Sequence, residues 1–250
     1  MSWPGSSSTP RLNGDGSPST AFFDETADFF DRFAETAAHR ERQQRFLEVG
    51  RISLATSSTE RPLCLDLGCG PGAITLGLAG LGFDMIGVDS SSAMIERATA
   101  AGEAVDVGNR CTFIQADLGA FLGDFRREAD LIVSSSVFEY LEDPVRILEL
   151  VAARLRSGGT FAVSVPNRRS LYRRVEPALL YVVPRAVRYA RETRNTMDAG
   201  ELVASARTFG LEPVETSHFG QLVLMGRPVL GRFSRAACLG TLTLVVLVKR

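Results

Sequence analysis

The sequence predicts an α/β fold in which a doubly wound, seven-stranded sheet carries helices on both faces and ends in an antiparallel strand. Apolar, strand-like runs alternate with helical segments between residues 60 and 166. These runs are apolar along their whole length, which is typical of parallel strands covered on both sides. The final two runs, "LEPVETSHF" and "TLTLVVLV", follow each other without a packed helix, so an antiparallel arrangement is expected there.

The individual elements follow from the hydrophobic pattern. The predicted strands of the central part are "PLCLDLG", "DMIGVDS", "CTFIQAD", "ADLIVSSS" and "GTFAVSVP". The predicted helices cover 72–81, 91–101, 144–156 and 197–210, and an amphipathic helix begins near Thr20 and continues through Phe46 and Val49. The stretch 118–127 is short and mixed. The sequence "SGG" at 157–159 is interpreted as the stop of the third helix, because glycine commonly terminates helices.

Composition argues against several classes of protein. The 250 residues carry 28 basic and 29 acidic side chains, and a net charge of −1 gives no reason to expect a nucleic-acid partner. The four cysteines form no C-x-x-C pair and the two histidines are isolated, so no metal site is expected. The chain does not open on a basic region followed by an apolar run, and the apolar run 239–248 is too short to span a bilayer. A cytoplasmic location is therefore expected.

The stretch "LDLGCGPG" at 65–72 places three glycines where the first strand turns into a helix. Glycines at such a turn let the backbone approach a ligand, and the following helix offers free N–H groups. Asp66 lies two residues before the first glycine and suits a cationic ligand group. Asp89 and Asp117 end the next two strands, where a carboxylate can accept hydrogen bonds from ribose hydroxyls or from an exocyclic amine. Ser134 lies in the polar end of the fourth strand.

Five segments, taken in order, resemble the motif series of the class I S-adenosylmethionine-dependent methyltransferases, which have a Rossmann-like fold. The segments are "LDLGCGPG", "GVDSS", "FIQADL", "DLIVSSSVFEYLEDP" and "LRSGGTFAVSVPN". Within that class the chain is similar to the methyltransferase type 11 group and to the ubiquinone-pathway O-methyltransferases. The resemblance implies S-adenosylmethionine as cofactor, S-adenosylhomocysteine as its product, and no metal.

The resemblance also implies cofactor contacts residue by residue. Asp66 and the loop Gly68–Gly72 would lie at the methionine end of the cofactor, Asp89 at the ribose, and Asp117 with Leu118 at the adenine. The full expected set is Arg45, Asp66, Gly68, Cys69, Gly70, Gly72, Asp89, Ser90, Asp117, Leu118 and Ser134.

Three of these assignments have a structural alternative. The glycines could form a tight strand–helix turn without a ligand. Asp89 could serve as a helix N-cap, alone or in addition to its ribose role. Asp117 could provide ordinary turn chemistry, because Asp is common at strand ends.

A hydroxyl acceptor needs a general base unless its own pKa is low. The candidates are Glu139 and Tyr140, which follow the fourth strand, and then His39 and His218. As alternatives, Glu139 could cap or pair locally, Tyr140 could line the pocket wall, and the histidines could be solvated or structural. The ubiquinone-pathway enzymes carry an E-x-L-E-H pattern here. Ser136 and Tyr140 stand at its outer positions and only Glu139 is retained, which argues against a ubiquinone substrate and against divalent-metal assistance.

Residues 168–194 contain eight arginines against Glu176 and Glu192, with apolar and aromatic residues between them. Such a mixture suits a segment that lies at an interface. We therefore expect a lid insertion at 167–195 that covers the substrate and also contacts a membrane surface peripherally. The alternative is a solvated basic face on an ordinary lid.

The chain is expected to form one methyltransferase domain over 19–250, preceded by a disordered tail at 1–18 that is rich in Ser, Gly and Pro. Within the domain, 19–58 would form N-terminal cap helices, 60–166 the cofactor-binding core, and 196–250 the C-terminal helix and closing strands.

The favoured function is O-methylation of a small hydroxylated lipophilic or glycan-like metabolite by in-line methyl transfer. N- or C-methylation of a small molecule is the alternative. The sequence "SSSVFEY" lacks the N-P-P-Y-like motif that reads amides, which argues against methylation of bases or amide side chains. A non-catalytic, S-adenosylmethionine-binding partner subunit is a further alternative, and the intact glycines and acidic residues argue against it.

Overall fold

The computed structural model describes residues 37–170, 193–220, 222–224, 227–229 and 240–250. The helices in these ranges are α1 (Ala37–Thr56), α2 (Ala73–Leu81), α3 (Ser92–Glu103), α4 (Leu118–Asp124), α5 (Pro144–Arg154) and α6 (Ala199–Thr208). The strands are β1 (Leu63–Leu67), β2 (Asp84–Asp89), β3 (Cys111–Gln115), β4 (Ala129–Ser135), β5 (Leu155–Pro166), β6 (Leu211–Phe219), β7 (Leu222–Leu224), β8 (Arg227–Val229) and β9 (Leu242–Lys249). Two 3-10 turns cover Asp106–Arg110 and Phe138–Tyr140.

Seven of the strands form one sheet in the order β3-β2-β1-β4-β5-β9-β6. Strands β1 to β5 run parallel to one another, whereas β9 is antiparallel to both β5 and β6. The predicted seven-stranded sheet with an antiparallel last strand is confirmed. The strand order reverses between β1 and β4, and this reversal places the loops that follow these two strands side by side at the carboxyl edge of the sheet.

Each face of the sheet packs against helices through its own apolar core. In β4, Leu131 and Val133 join a cluster that contains Phe46 of α1 and Leu78 of α2. Ile132 joins the opposite cluster, which receives side chains from α4, α5 and α6. Alternation of this kind follows from the two-residue period of a strand, so the continuous apolar runs of the sequence supply both cores.

Local signals fix several helix ends. Asp143 caps α5 by accepting a hydrogen bond from Arg146 N at 2.9 Å, and Pro144 occupies the first helical position. Asp198 and Glu201 form a reciprocal capping box at the start of α6. Helix α2 ends at Gly82, whose φ of +118° is a conformation that glycine adopts at little cost.

The prediction that "SGG" stops a helix is wrong. Helix α5 ends earlier, at Arg154, and β5 begins at once with Leu155, which is fully buried and pairs with Ala129. The three residues lie within β5, where Gly158 has a φ of +73° and the register against β4 shifts. Glycine is common both at irregularities of a strand and at the end of a helix, so the letters "SGG" alone do not distinguish the two structures.

Other differences concern short elements. The mixed stretch 118–127 contains the short helix α4, and the hairpin of β7 and β8 was not predicted. The apolar run near the C-terminus forms β9, and within the ranges given above no helix is both long and apolar enough to cross a bilayer. The predicted tail at 1–18, the helix start near Thr20 and most of the predicted lid (171–192) lie outside the described residues.

A buried carboxylate joins three elements at the edge of the sheet opposite the glycine loop. Asp130, at the start of β4, is only 4% exposed. It accepts hydrogen bonds from Leu63 N at 2.8 Å, Thr59 Oγ1 at 2.9 Å and Arg156 Nε at 2.7 Å. Burial by itself raises the pKa of Asp130, but these donors outweigh it and the pKa is lowered. The carboxylate therefore carries a charge at neutral pH.

We expect Asp130→Ala to lower the free energy of unfolding by roughly 2–4 kcal/mol, because it leaves the buried N–H of Leu63 and the partly buried guanidinium of Arg156 without their acceptor. The control is Asp84→Ala. Asp84 makes only partly exposed ion pairs with Arg61 at 3.0 Å and Arg110 at 3.5 Å, so a loss below about 1 kcal/mol is expected. Urea unfolding of both variants measures the difference, and equal losses would contradict the assignment.

Candidate functional site

The glycine loop connects β1 to α2 at the carboxyl edge of the sheet. Gly68, Gly70 and Gly72 have φ values of +74°, +52° and +86°, a backbone region that favours glycine. The N–H groups of Gly68 and Cys69 both donate to Val88 O, at 2.8 and 3.0 Å. A Cβ added at Gly70 would have no heavy atom within 4 Å, so the loop has an open side at this residue.

Asp89, the last residue of β2, holds this loop. Its Oδ2 accepts a hydrogen bond from Gly70 N at 2.9 Å, and its Oδ1 accepts one from Ser91 N at 3.0 Å. The N-cap of α3 is Ser91, whose Oγ accepts from Met94 N at 3.2 Å. The structural alternative of Asp89 as N-cap therefore does not describe the fold. Asp89 instead joins the loop that follows β1 to the residues that follow β2.

Asp66 lies beneath the loop and is almost completely buried, with 1% of its surface exposed. Its Oδ2 accepts a hydrogen bond from Thr75 Oγ1 at 2.6 Å. Burial is the main cause that raises the pKa of Asp66 to about 7, and the charge of Asp89 acts in the same direction, while the Thr75 hydroxyl partly offsets both. The site thus contains a carboxyl group whose charge state changes near neutral pH.

The neighbouring loop after β3 carries the residues expected at the adenine. Asp117 is exposed and caps α4, because its Oδ1 accepts from Ala120 N at 2.9 Å. Leu118 is the first residue of that helix, a position whose N–H has no partner within a helix. Ser90 O accepts from Gln115 Nε2 at 3.3 Å, a contact that links the β2 and β3 ends. The turn chemistry of Asp117 is therefore present, and an adenine role remains a prediction.

The loop after β4 lies directly against the glycine loop. Ser134 is fully buried and its Oγ donates to Leu67 O at 3.0 Å, across to β1. A Cβ at Gly68 would come within 2.2 Å of a methyl group of Val137, so only glycine permits this contact. The sheet order thus brings the turn that carries Glu139 and Tyr140 next to the glycine loop.

Ser136 has an unusual conformation at the end of β4. Its φ of +56° is the one positive value for a non-glycine residue in the described part of the chain. Its N–H donates to Ser164 Oγ at 3.0 Å, and its own Oγ is buried without a hydrogen-bond partner among the described residues. Strain together with an unsatisfied hydroxyl is more common at functional sites than elsewhere.

Arg45 is not brought to the glycine loop by any contact of the described residues. It lies on α1, half-buried, and pairs with Glu48 of the same helix at 3.3 Å. Gln43, also on α1, does reach the end of the glycine loop, because its Nε2 donates to Ala73 O at 2.8 Å at the start of α2. Sequence reasoning missed Gln43, because its partner lies 30 residues away and no local pattern marks it.

The two histidines lie on different elements. His39 is on α1, and burial first, then the charge of Arg42, lowers its pKa. His218 is on β6, where its Nδ1 lies 3.0 Å from Thr243 Oγ1 of β9, and burial followed by the charge of Arg169 lowers its pKa. Three strand spacings, about 14 Å, separate β6 from β4. Glu139 and Tyr140 lie on the loop that the sheet order brings beside the glycine loop, and His39 lies on α1 one helical turn before Gln43, whose side chain reaches the start of α2.

Cys69 is buried within the glycine loop and its Sγ lies 3.6 Å from Gly70 O. Burial raises the pKa of this thiol well above its ordinary value, so it remains protonated and acts as a small apolar group. Among the residues that the structure describes, no group of three or more His, Cys, Asp or Glu side chains is arranged to hold a metal ion.

Sequence comparisons relate this chain to known methyltransferases. The profile of a methyltransferase domain family matches residues 25–216. The ubiquinone biosynthesis O-methyltransferase of Caulobacter vibrioides is 31% identical over 129 residues, which cover 51% of this chain and 50% of that protein. The tRNA 5-carboxymethoxyuridine methyltransferase of Escherichia coli K12 is 29% identical over 151 residues, covering 60% and 58%. The chain therefore spans about half the length of the curated relatives it matches.

Solved structures show the same fold. The magnesium protoporphyrin IX methyltransferase of Synechocystis PCC 6803, with bound S-adenosylhomocysteine, has a TM-score of 0.67 at 18% identity, covering 93% of this chain and 98% of that one. The N-methyltransferase NodS of Bradyrhizobium japonicum, also in complex with S-adenosylhomocysteine, has a TM-score of 0.64 at 18% identity, covering 93% and 99%. The seven-stranded sheet and its glycine loop are those of the class I S-adenosylmethionine-dependent methyltransferases.

The family profile covers most of the chain, from residue 25 to residue 216. This protein therefore belongs to the methyltransferase domain family.

The buried Asp66 generates a pH-dependent prediction. Its raised pKa means that the folded protein keeps a proton which the unfolded chain releases, so this carboxyl destabilises the fold increasingly as the pH rises from about 4 to about 7. Asp66→Asn removes this cost. We expect the free energy of unfolding of the variant minus that of the native chain to be roughly 2–3 kcal/mol larger, in the stabilising direction, at pH 8 than at pH 5. Urea unfolding at both pH values measures this, and a difference independent of pH would contradict the assignment.

Proposed function

We propose that the protein is an enzyme that transfers a methyl group from S-adenosylmethionine to a hydroxyl oxygen of a small lipophilic or glycan-like metabolite. One observation carries the proposal: three glycines with positive φ, a buried acid and a strand-end acid meet at the sheet edge where the strand order reverses. Crevices at that point are where open α/β sheets bind ligands.

The residues present fit the cofactor by shape and by charge. The open side of Gly70 leaves room beside the backbone. Asp66 and the glycine loop would hold the cationic methionine end. Oδ2 of Asp89 accepts a hydrogen bond from Gly70 N of the glycine loop, and Oδ1 accepts one from Ser91 N. A carboxylate has several acceptor sites, and Asp89 would also accept hydrogen bonds from the ribose hydroxyls. Asp117 and the N–H of Leu118 would hold the adenine.

The cofactor, when bound, supplies a methyl group on a sulfonium that leaves as a neutral thioether. The chain's own task is to align the acceptor oxygen and to keep water away from it. The proton of that hydroxyl would pass to a carboxylate oxygen of Glu139 or to the phenolate oxygen of a deprotonated Tyr140. Both residues lie on the 3-10 turn that follows Val137, and Val137 contacts Gly68.

Two observations favour oxygen as the methylated atom in a small acceptor. The relative from Caulobacter vibrioides is named as an O-methyltransferase. The E. coli relative is named for tRNA, but the net charge of −1 of this chain offers no electrostatic attraction for a polyanion. Ser136 and Tyr140 replace the ubiquinone-pathway pattern, so we propose an acceptor other than a ubiquinone precursor.

The experiment that tests the cofactor site compares two carboxylates of one strand. Asp89 ends β2 at the glycine loop, and Asp84 begins β2 at the opposite edge. Asp89→Ala is expected to weaken binding of S-adenosylmethionine more than tenfold, because charge-assisted hydrogen bonds to ribose and to Gly70 N are lost. Asp84→Ala should change the dissociation constant less than twofold. Calorimetric titration of both variants measures this, and unchanged affinity in Asp89→Ala would exclude the ribose assignment.

A further inference from the structure

The turn that carries Glu139 and Tyr140 is hydrogen-bonded to a distant piece of the chain. The side-chain amide of Asn195 donates to Phe138 O at 2.6 Å and to Leu141 O at 2.7 Å. The backbone N–H groups of Arg194 and Asn195 both donate to Glu139 O, at 2.9 and 3.3 Å. The Arg194 guanidinium also pairs with the carboxylate of Glu142. The carbonyls on both sides of the two candidate side chains thus bind to residues 194 and 195.

This contact uses the whole side chain of Asn195. Both of its donated hydrogen bonds go to the turn, and its Oδ1 accepts from Met197 N at 3.0 Å. A neutral side chain with two donors and an acceptor on one planar group is an amide, so neither Asp nor Ser can replace it without losing bonds. The contact is therefore specific in its chemistry.

The turn has little stability of its own. It is a 3-10 turn of three residues, and such short pieces depend on their surroundings. It begins after Ser136, whose positive φ is strained and whose N–H is held by Ser164 Oγ at 3.0 Å. A hydrogen bond from β5 thus holds the start of the loop that contains the turn, and hydrogen bonds from residues 194 and 195 hold its end.

We infer that Asn195 is a positioning residue that holds Glu139 and Tyr140 beside the glycine loop. This inference rests on the proposed function, because it assigns the turn to the acceptor side of the methyl-transfer site. Asn195 acts through the backbone of the turn, which in turn contacts Gly68 through Val137. The segment that returns to the sheet before α6 therefore takes part in building the site.

The test replaces Asn195 with Asp and, separately, with Ala. Asn195→Asp keeps the size of the side chain and the acceptor for Met197 N, but sets an oxygen against two carbonyls. The matched control is Asn167→Asp. Asn167 is likewise an amide that bridges backbone groups: its Nδ2 donates to Gly240 O at 2.7 Å and its Oδ1 accepts from Arg169 N at 3.1 Å, and both of these partners lie outside the turn.

Two measurements report on the turn without requiring a known acceptor. Hydrogen exchange of the peptide covering 136–142 follows the amides of Tyr140 and Leu141, which bond to Val137 O and Phe138 O. Fluorine NMR of protein labelled with 3-fluorotyrosine follows Tyr140, whose signal is one of four and is assigned with Tyr140→Phe. Both are recorded with and without S-adenosylhomocysteine, and S-adenosylmethionine affinity is titrated in parallel.

Both Asn195 variants are expected to speed exchange in 136–142 about tenfold or more and to shift the Tyr140 signal, since two hydrogen bonds are lost. Affinity for S-adenosylmethionine should stay within threefold, and Asn167→Asp should leave the Tyr140 signal in place. An unmoved Tyr140 signal, or an equal shift in Asn167→Asp, would overturn the inference. Failure of the native chain to bind S-adenosylmethionine would instead overturn the proposed function, and the exchange and fluorine data would still decide the role of Asn195.

Discussion

The hydrogen bond from Gly70 N to the carboxylate of Asp89 is the interaction on which the site depends. It ties the loop after β1 to the end of β2, and the second oxygen of Asp89 binds Ser91 N at the start of α3. The left-handed glycines make this geometry accessible, because an ordinary side chain is strained at their φ values. One carboxylate thus orders the loop at the place where we propose that the ribose of the cofactor binds.

The reversal of strand order between β1 and β4 supplies the rest of the site. It places the β4 loop on the glycine loop so closely that Val137 occupies the space where Gly68 would carry a Cβ. Proposed cofactor-binding and proposed acceptor-binding residues therefore share one contact instead of lying on independent surfaces. Buried Asp66 lies in β1, two residues before the first glycine of the loop, and its charge state responds to pH near neutrality.

The sequence was sufficient for those parts that depend on local pattern. Runs that are apolar throughout predicted the central strands, and glycines at alternate positions predicted the loop. The prediction from the sequence pattern was wrong where one residue type is common in two structures. The stretch "SGG" is an irregularity within a strand and not the end of a helix. The pattern also failed where contacts span long distances, because Gln43 lies 30 residues from Ala73 and Asn195 lies 57 residues from Phe138. The left-handed conformation of Ser136 has no local signal, because serine in itself does not favour it.

We propose that the edge of the sheet formed by Asp66, Asp89 and the glycine loop binds S-adenosylmethionine. Calorimetric titration of the native chain with S-adenosylmethionine, and separately with NAD, tests it most directly. We expect the chain to bind S-adenosylmethionine and not NAD, because the buried carboxyl of Asp66 beside the glycines suits a cationic ligand and repels a pyrophosphate. Binding of NAD with no response to S-adenosylmethionine would contradict it.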